Sequence, residues 1–329
     1  MTRAASPATV RRPNSPAAPD HSVALTPRRR LQLALAGLWV LDGLLKLQPF
    51  MFTKDFAPMT LGDASDGAPS WLASPMNWAS NLVEGHPVSL MVLFALAELV
   101  IGFGIAWPRT LKPALVACML WVPFLWFFAE GLGGLPSGAG PFDGAPGASI
   151  LYLVLAVLLW PSERDTPSQA ERFVGVRPAR AFWFLLWGLF AVLAFLPANT
   201  SPDAFSDTIA GNVEGTPTGY AWLLNHATKW TVGHGLVLGL VFGVVLALVA
   251  VSALLPWQRA MRAGVVVALV LSLLIWVFGE GLGMPFQGMG TDPDTGPLLA
   301  LIALTYWPAT RLAGAVEGSA AAVSEGAAA

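Results

Sequence analysis

Eight apolar segments, separated by polar and glycine-rich stretches, constrain this chain more than any other feature of its sequence. A helix that rises 1.5 Å per residue needs about 20 apolar residues to cross a hydrocarbon core of about 30 Å. Hydrophobic residues make up 55% of the chain and charged residues only 12%, whereas a soluble domain carries about 25% charged residues. We therefore predict an all-α integral membrane protein with eight transmembrane helices, at residues 31–48, 87–107, 111–130, 148–160, 180–197, 234–256, 262–280 and 296–310.

The basic residues predict the orientation of these helices, because loops that stay in the cytoplasm retain Lys and Arg. With the N-terminus inside, the cytoplasmic segments contain most of the 18 basic residues, namely Arg3, Arg11, Arg12, Arg28, Arg29, Arg30, Arg109, Lys112, Arg164, Arg172, Arg177, Arg180, Arg259, Arg262 and Arg311. Both termini are thus predicted to be cytoplasmic. We expect a multi-pass protein of the plasma membrane with the lipid bilayer as its partner, and the net charge of -2 argues against a nucleic-acid partner.

The second half of the chain repeats the pattern of the first. The segment LWVLDGLLKLQP at 38–49 aligns with LWGLFAVLAFLP at 186–197, and the motif EGLG occurs at 130–133 and again at 280–283. A tandem duplication of a four-helix unit explains both matches, and an even number of helices gives the two repeats the same orientation. The predicted organisation is a disordered cytoplasmic tail at 1–30, repeats at 31–161 and 180–310, a cytoplasmic linker at 162–179, and a second disordered tail at 311–329.

In each repeat the third helix ends in a glutamate that precedes a glycine-rich stretch and a short helix. Trp126 and Glu130 are four residues apart on one helix face, as are Trp276 and Glu280. Glycine after a helix is a common cap, so the motif can be a purely structural helix end. Alternatively, glycine-interrupted segments at matching places in two repeats indicate a binding site. These four side chains are therefore candidates for ligand binding or proton handling.

Three charged residues lie within predicted helices of the first repeat only. Asp42, Lys46 and Glu98 align with Phe190, Ala194 and Leu246 of the second repeat. A charge in a membrane helix costs roughly 2.5 to 3.5 kcal/mol on insertion scales and usually marks function, so all three are candidate ligand- or proton-handling residues. In the alternative interpretation, Asp42 and Lys46 neutralise each other one turn apart. Glu98 has no partner in its own helix, and we expect it to be protonated near mid-bilayer.

The sequence contains no metal-binding pattern. Its single cysteine, Cys118, excludes disulfides and thiolate clusters. No His-x-His or His-x-x-x-His spacing is present. We therefore predict no metal site, and any redox role requires a cofactor from elsewhere.

Two segments of the first repeat, GLLKL at 43–47 and LAELVIGFGIAWPRT at 96–110, resemble the DoxX-like family of four-helix membrane proteins. That family carries Gly-x-x-Lys-Leu near the outer end of its first helix, and in its second helix a Glu before a glycine-rich run with an Arg just beyond. The matching residues are Gly43, Lys46, Leu47, Glu98, Gly102 and Arg109. The resemblance covers about residues 31–160 and implies an association with quinone-linked oxidation.

Three classes of function follow from these observations. The leading hypothesis is a subunit of a quinone-linked oxidoreductase, or its membrane partner, in a respiratory or oxidative-stress membrane complex, with quinone as the ligand. A proton- or cation-coupled transporter of a small molecule is the second, with Asp42, Glu98 and Glu130 handling the charge. The third is a membrane scaffold without catalytic activity. The sequence leaves open whether the chain itself is an enzyme.

Overall fold

The computed structural model describes residues 25–308, which form helices joined by loops and short 3₁₀ or π turns, with no strand. The α-helices are α1 (Pro27–Leu45), α2 (Ser70–Gly85), α3 (Pro87–Ala106), α4 (Leu111–Phe128), α5 (Ala148–Leu158), α6 (Glu171–Val174), α7 (Val176–Ala194), α8 (Ala204–Gly211), α9 (Thr218–Thr231), α10 (Gly235–Ser252), α11 (Gln258–Leu274) and α12 (Thr295–Thr305). A π-helical turn, Ile275–Gly279, continues α11. Most of the two predicted tails lies outside the described residues.

Five helices are long and apolar enough to cross a membrane: α3, α4, α7, α10, and α11 with its π-helical end. The helices α5 and α12 are apolar but have only 11 residues each. Helix α1 has 19 residues and carries three arginines in its first turn. Each of the eight predicted segments overlaps one of these eight helices. The chain is therefore a helical, multi-pass membrane protein.

Two helices begin earlier than the sequence predicted. Helix α1 begins at Pro27, because the Thr26 hydroxyl accepts a hydrogen bond from Arg29 N at 3.2 Å and proline suits the first helical position. Residues 27–30, predicted as tail, thus form its first turn. Helix α7 likewise begins inside the predicted linker, which also contains α6. The Arg28 guanidinium holds this region by donating to the carbonyls of Leu158 at 3.1 Å and Gln169 at 2.9 Å.

The helices pack in two similar sets around one continuous core. In the first set, α1 packs mainly against α3, and α4 packs mainly against α5. In the second set, α7 packs mainly against α10, and α11 packs mainly against α12. Contact between α5 and α12 joins the two sets. Close approach of α1 and α3 depends on small residues, since a Cβ atom added at Gly102 would lie 2.9 Å from Val40 N. This approach positions the charged groups described below.

The segment between α1 and α3 covers one end of the first helix set. It contains a 3₁₀ turn (Pro49–Phe52), a π turn (Pro58–Gly62), a 3₁₀ turn (Asp63–Ser65) and α2. Its apolar side chains form a small separate core with the start of α3, made by Met51, Phe56, Ala57, Val83 and Met91. Phe56 and Val83 from this core also form part of the wall of the cavity described next.

Candidate functional site

A buried ion pair joins α1 to α3. Lys46 Nζ lies 2.9 Å from Glu98 Oε2, and the two side chains are 9% and 1% exposed. Lys46 does not pair with Asp42, and Glu98 is not the unpaired acid that the sequence suggested, because the close packing of α1 and α3 brings Glu98 to the end of α1. Lys46 Nζ also donates to the carbonyl of Thr291 at 2.9 Å.

Glu98 retains unused hydrogen-bonding capacity. Apart from the ion pair with Lys46, neither of its carboxylate oxygens has a hydrogen-bond partner among residues 25–308. Buried polar atoms in folded proteins are nearly always partnered by protein or by ordered water. Glu98 lies in the wall of a cavity. Its Oε1, which is not paired with Lys46, is therefore available to a molecule in that cavity.

Asp42 is held by a different partner, the hydroxyl of Tyr152 on α5. Tyr152 Oη donates to Asp42 Oδ1 at 2.8 Å, and both side chains are buried. The ring of Tyr152 lies 4.4 Å from that of Trp39, measured between ring centroids. Tyr152 therefore fixes Asp42 beside the Lys46–Glu98 pair. Tyr152 was not among the residues predicted from the sequence, because no local pattern marks this tyrosine.

These groups line one cavity of about 320 Å³. Its wall is made by α1, α2, α3, α5, the end of α4, the segment before α2, and a loop between α11 and α12. Aromatic and methionine side chains form its apolar surface, namely Trp39, Phe56, Met59, Met91, Phe94, Met284 and Met289. The cavity has the size and mixed lining that are typical of small-molecule sites, whose volumes are about 300 to 1,000 Å³.

The loop at 283–294, from the second half of the chain, forms part of the wall of the cavity in the first half. Besides the bond from Lys46 to Thr291, Gln48 Nε2 donates to the carbonyl of Gly290 at 2.9 Å. The loop adds Asp292 and Asp294 to the lining. Lys46 and Thr291 are separated by 245 residues, so no local sequence pattern predicts this contact.

Glu130 and Glu280, which follow the ends of α4 and α11, cap the next helix along the chain. Glu130 Oε1 accepts from Ser149 N at 2.9 Å and from its hydroxyl at 2.7 Å, at the start of α5. Glu280 accepts from Thr295 N at 3.1 Å and from Gly296 N at 2.9 Å, at the start of α12. Carboxylates stabilise helix N-termini by satisfying free N–H groups and interacting with the helix dipole. Glu130 also lines the cavity, whereas Glu280 does not.

The glycine-rich part of each EGLG motif makes this capping possible. Residues 131–134 and 281–284 all have positive φ, which reverses the chain directly after the helix. Glycine adopts this conformation without the penalty that other residues incur. At Gly133 an added Cβ atom would also overlap the backbone of Pro146. In both copies, the motif therefore places its glutamate against the first N–H groups of the following short helix.

Burial affects the acidity of both capping residues. It raises the pKa of Glu130 to about 7, with a further contribution from the charge of Asp292. It also raises the pKa of Glu280 to about 7. Both carboxyls can therefore gain or lose a proton near neutral pH.

The two tryptophans of the motif lie away from the cavity lining. Trp126 Nε1 donates to the carbonyl of Pro146 at 2.7 Å, which helps to hold the loop before α5. Trp276 Nε1 has no partner among the described residues. The structure thus gathers Asp42, Lys46, Glu98 and Glu130 around the cavity, while Trp126, Trp276 and Glu280 serve loop and helix packing.

The matching place in the second helix set is filled by apolar side chains. Phe190, Ala194 and Leu246 are buried there. Phe142, from the loop before α5, packs against Phe205 with ring centroids 4.7 Å apart, and only about 10 Å³ remains open beside them. The charged groups and the large cavity therefore occur together in the first set.

Across residues 25–308, no group of three or more His, Cys, Asp or Glu side chains is arranged to hold a metal ion. Comparison of the chain with family models, with curated proteins and with solved structures gave no match. The cavity and its lining are therefore the features of the structure that bear on function.

Proposed function

We propose that this chain is a DoxX-like membrane protein with eight spans in two four-helix repeats, and that it binds a lipophilic, quinone-like molecule in the cavity of the first repeat. The observation that carries the proposal is the cavity of about 320 Å³ in which a buried Lys46–Glu98 pair faces an aromatic wall. Such a site suits a flat apolar ring that carries polar substituents.

Several features support eight spans. The order of the main helices from α1 to α5 resembles the order from α7 to α12, with the turns at 58–65 in the place of α8, and the main helix contacts correspond. Helices α5 and α12, with 11 residues each, cover about half of a hydrocarbon core of about 30 Å. Local thinning of the bilayer accommodates short spans at modest cost. The distribution of Lys and Arg supports cytoplasmic termini.

The lining offers both a hydrogen-bond donor and proton-carrying groups to a quinone. An ammonium group has three hydrogens, and Glu98 and Thr291 accept two of those of Lys46. The third is available to a carbonyl oxygen of the ligand. Reduction of a quinone to a quinol takes two electrons and two protons. The protons are exchanged with the carboxyl and ammonium groups of the site, and the electrons come from a redox partner in a respiratory or oxidative-stress membrane complex.

The experiment compares the parent protein with a variant in which the cavity charges are replaced by the residues at the matching places in the second repeat, D42F/K46A/E98L. Both proteins are purified in a mild detergent, and the quinone bound per protein is measured by mass spectrometry. We expect the parent to retain quinone and the variant to lose at least about tenfold, while thermal unfolding shows that both are folded. Equal quinone contents, or a parent that binds none at micromolar concentration, would contradict the proposal.

A specific observation also favours the transporter hypothesis. Five carboxyl groups line the cavity and face a single lysine, namely Asp42, Glu98, Glu130, Asp292 and Asp294. An excess of acids in a membrane-embedded cavity is typical of proton or cation pathways. Purified protein in vesicles with an imposed proton gradient tests this second candidate, since a transporter moves protons or a labelled cation and a quinone-binding subunit does not.

A further inference from the structure

The hydrogen-bonding capacity left open in the cavity includes carboxylate acceptors. Glu98 is fully buried, lines the cavity, and has an oxygen without a partner. Asp294 also lines the cavity, and its side chain makes no capping hydrogen bond to α12. By contrast, Asp292 accepts from the Thr291 hydroxyl at 2.8 Å and from Asp294 N at 2.9 Å. On the donor side, one ammonium hydrogen of Lys46 and the indole N–H of Trp39 have no partner among the described residues.

The backbone of Asp294 is in a conformation that favours glycine. Asp294 precedes α12 with φ 61° and ψ −168°. At the matching place before α5, Gly147 has φ 92° and ψ 153°. A residue with a side chain is strained in this region of the map, whereas glycine is not. The Asp294 side chain also makes no capping hydrogen bond to α12. Helix capping therefore gives no reason for an aspartate here, whereas Asp294 is one of the residues that line the cavity.

We propose that Asp294 is a ligand-binding residue and that, together with Glu98, it recognises an O–H or N–H donor on the ligand. This inference rests on the proposed function and makes it more specific, because a quinol presents hydroxyl groups where a quinone presents carbonyl oxygens. A carboxylate accepts a hydrogen bond from the hydroxyl and repels the carbonyl. The site therefore prefers the reduced form of the ligand, and the second half of the chain supplies part of that preference.

The test titrates the full-length protein in detergent, without oxygen, with a short-chain benzoquinol, with the corresponding benzoquinone and with n-decylammonium. Binding is followed by tryptophan fluorescence, since Trp39 is part of the cavity wall. Burial, and then the charge of Glu280, raise the pKa of Asp294, so mildly alkaline buffer is used. The variants are Asp294→Asn and Asp294→Gly, with Asp55→Asn as a control that removes an exposed carboxylate outside the cavity.

We expect the parent and the Asp55→Asn control to bind the quinol about tenfold more tightly than the quinone, because a hydrogen bond to a charged group contributes at least that factor. Asp294→Asn should lose about tenfold in quinol affinity and change little toward the quinone. Asp294→Gly should lose the same affinity and yet unfold at a higher temperature than the parent, because the strain is removed. A residue with only a structural role would not change binding and stability in opposite directions.

Other outcomes separate this inference from the proposed function. Equal or tighter binding of the quinone, unchanged quinol binding by Asp294→Asn, or lower stability of Asp294→Gly would overturn the inference and leave a quinone site in place. Binding of n-decylammonium alone, with loss in Asp294→Asn, would support recognition of a donor group and contradict the quinone function. No binding of any of the three probes to the parent would overturn both.

Discussion

Removing one partner of the Lys46–Glu98 pair should destabilise the protein far more than removing both. In Glu98→Leu, the Lys46 ammonium stays buried with the Thr291 carbonyl as its remaining partner, and in Lys46→Ala neither oxygen of Glu98 has a partner. Breaking a buried ion pair on one side costs about 3 to 5 kcal/mol, because the other charge is left uncompensated. We expect each single variant to lose about that much free energy of unfolding.

The double variant, Lys46→Ala with Glu98→Leu, should lose much less free energy of unfolding than either single variant. Replacing a buried pair by apolar residues is often neutral or stabilising, and Ala194 and Leu246 are buried in the matching place on α7 and α10. We expect the double variant to lie within about 1 kcal/mol of the parent after allowance for the shortened side chain at position 46. The destabilisation of the double variant should therefore be much smaller than the sum of the two single destabilisations, which is a large interaction energy between Lys46 and Glu98.

The assay is reversible unfolding in mixed detergent micelles with increasing sodium dodecyl sulfate, followed by far-ultraviolet circular dichroism for all four proteins. Exposed acids provide the control, since Asp63→Asn removes a carboxylate at the surface and should change stability by less than about 0.5 kcal/mol. The coupling of Lys46 and Glu98 is contradicted if the double variant is destabilised by the sum of the two single changes. A buried ion pair is contradicted if Glu98→Leu is as stable as the parent.

Four further predictions test other parts of the structure. Tyr152→Phe removes the donor to Asp42 and should cost about 1 to 3 kcal/mol in the same unfolding assay. Gly133→Ala should destabilise by more than about 2 kcal/mol, because it combines positive φ with overlap on Pro146, whereas Gly138→Ala has open space and should show the conformational cost alone. Because the pKa of Glu280 is raised from 4.5 to about 7, the contribution of Glu280 to stability should be fully present below pH 4.5 and be lost as the pH rises through about 7, and Glu280→Gln should remove that part of the pH dependence in thermal scans at stepped pH. Single cysteines at the exposed positions 64 and 210 should react with an impermeant maleimide in intact cells, and one at the exposed position 165 should not; labelling at 165 alone would contradict the predicted topology.

Much of the helical framework could be predicted from the sequence. The apolar segments gave the positions of eight helices, because the requirement for about 20 apolar residues per crossing is a strong local constraint. The predicted start of α1 is too late, because the arginines at 28–30 favour a polar tail, whereas the Thr26 cap and Pro27 begin the helix before them. The EGLG motif was recognised as a helix end with two interpretations, and only its three-dimensional path shows that the glutamate caps the following helix.

The site was less predictable, because its contacts are distant in the sequence. Asp42, Lys46 and Glu98 were found as charges in apolar helices, but their partners depend on how α1, α3 and α5 pack. No local sequence pattern marks the aspartates of the loop at 283–294 as cavity residues. Their place in the cavity follows from bonds that bring this loop to Lys46 and Gln48, more than 240 residues away. No local pattern encodes that contact.

The most direct test of the central claim is an experimental structure of the protein in native-lipid nanodiscs, purified without added ligand. The claim predicts density for a planar ring in the cavity of the first repeat, beside Trp39 and within hydrogen-bonding distance of Lys46 or Asp294, and no such density beside Phe190 in the second. A cavity that contains only water or a lipid acyl chain, or a ring bound elsewhere on the protein, would contradict it.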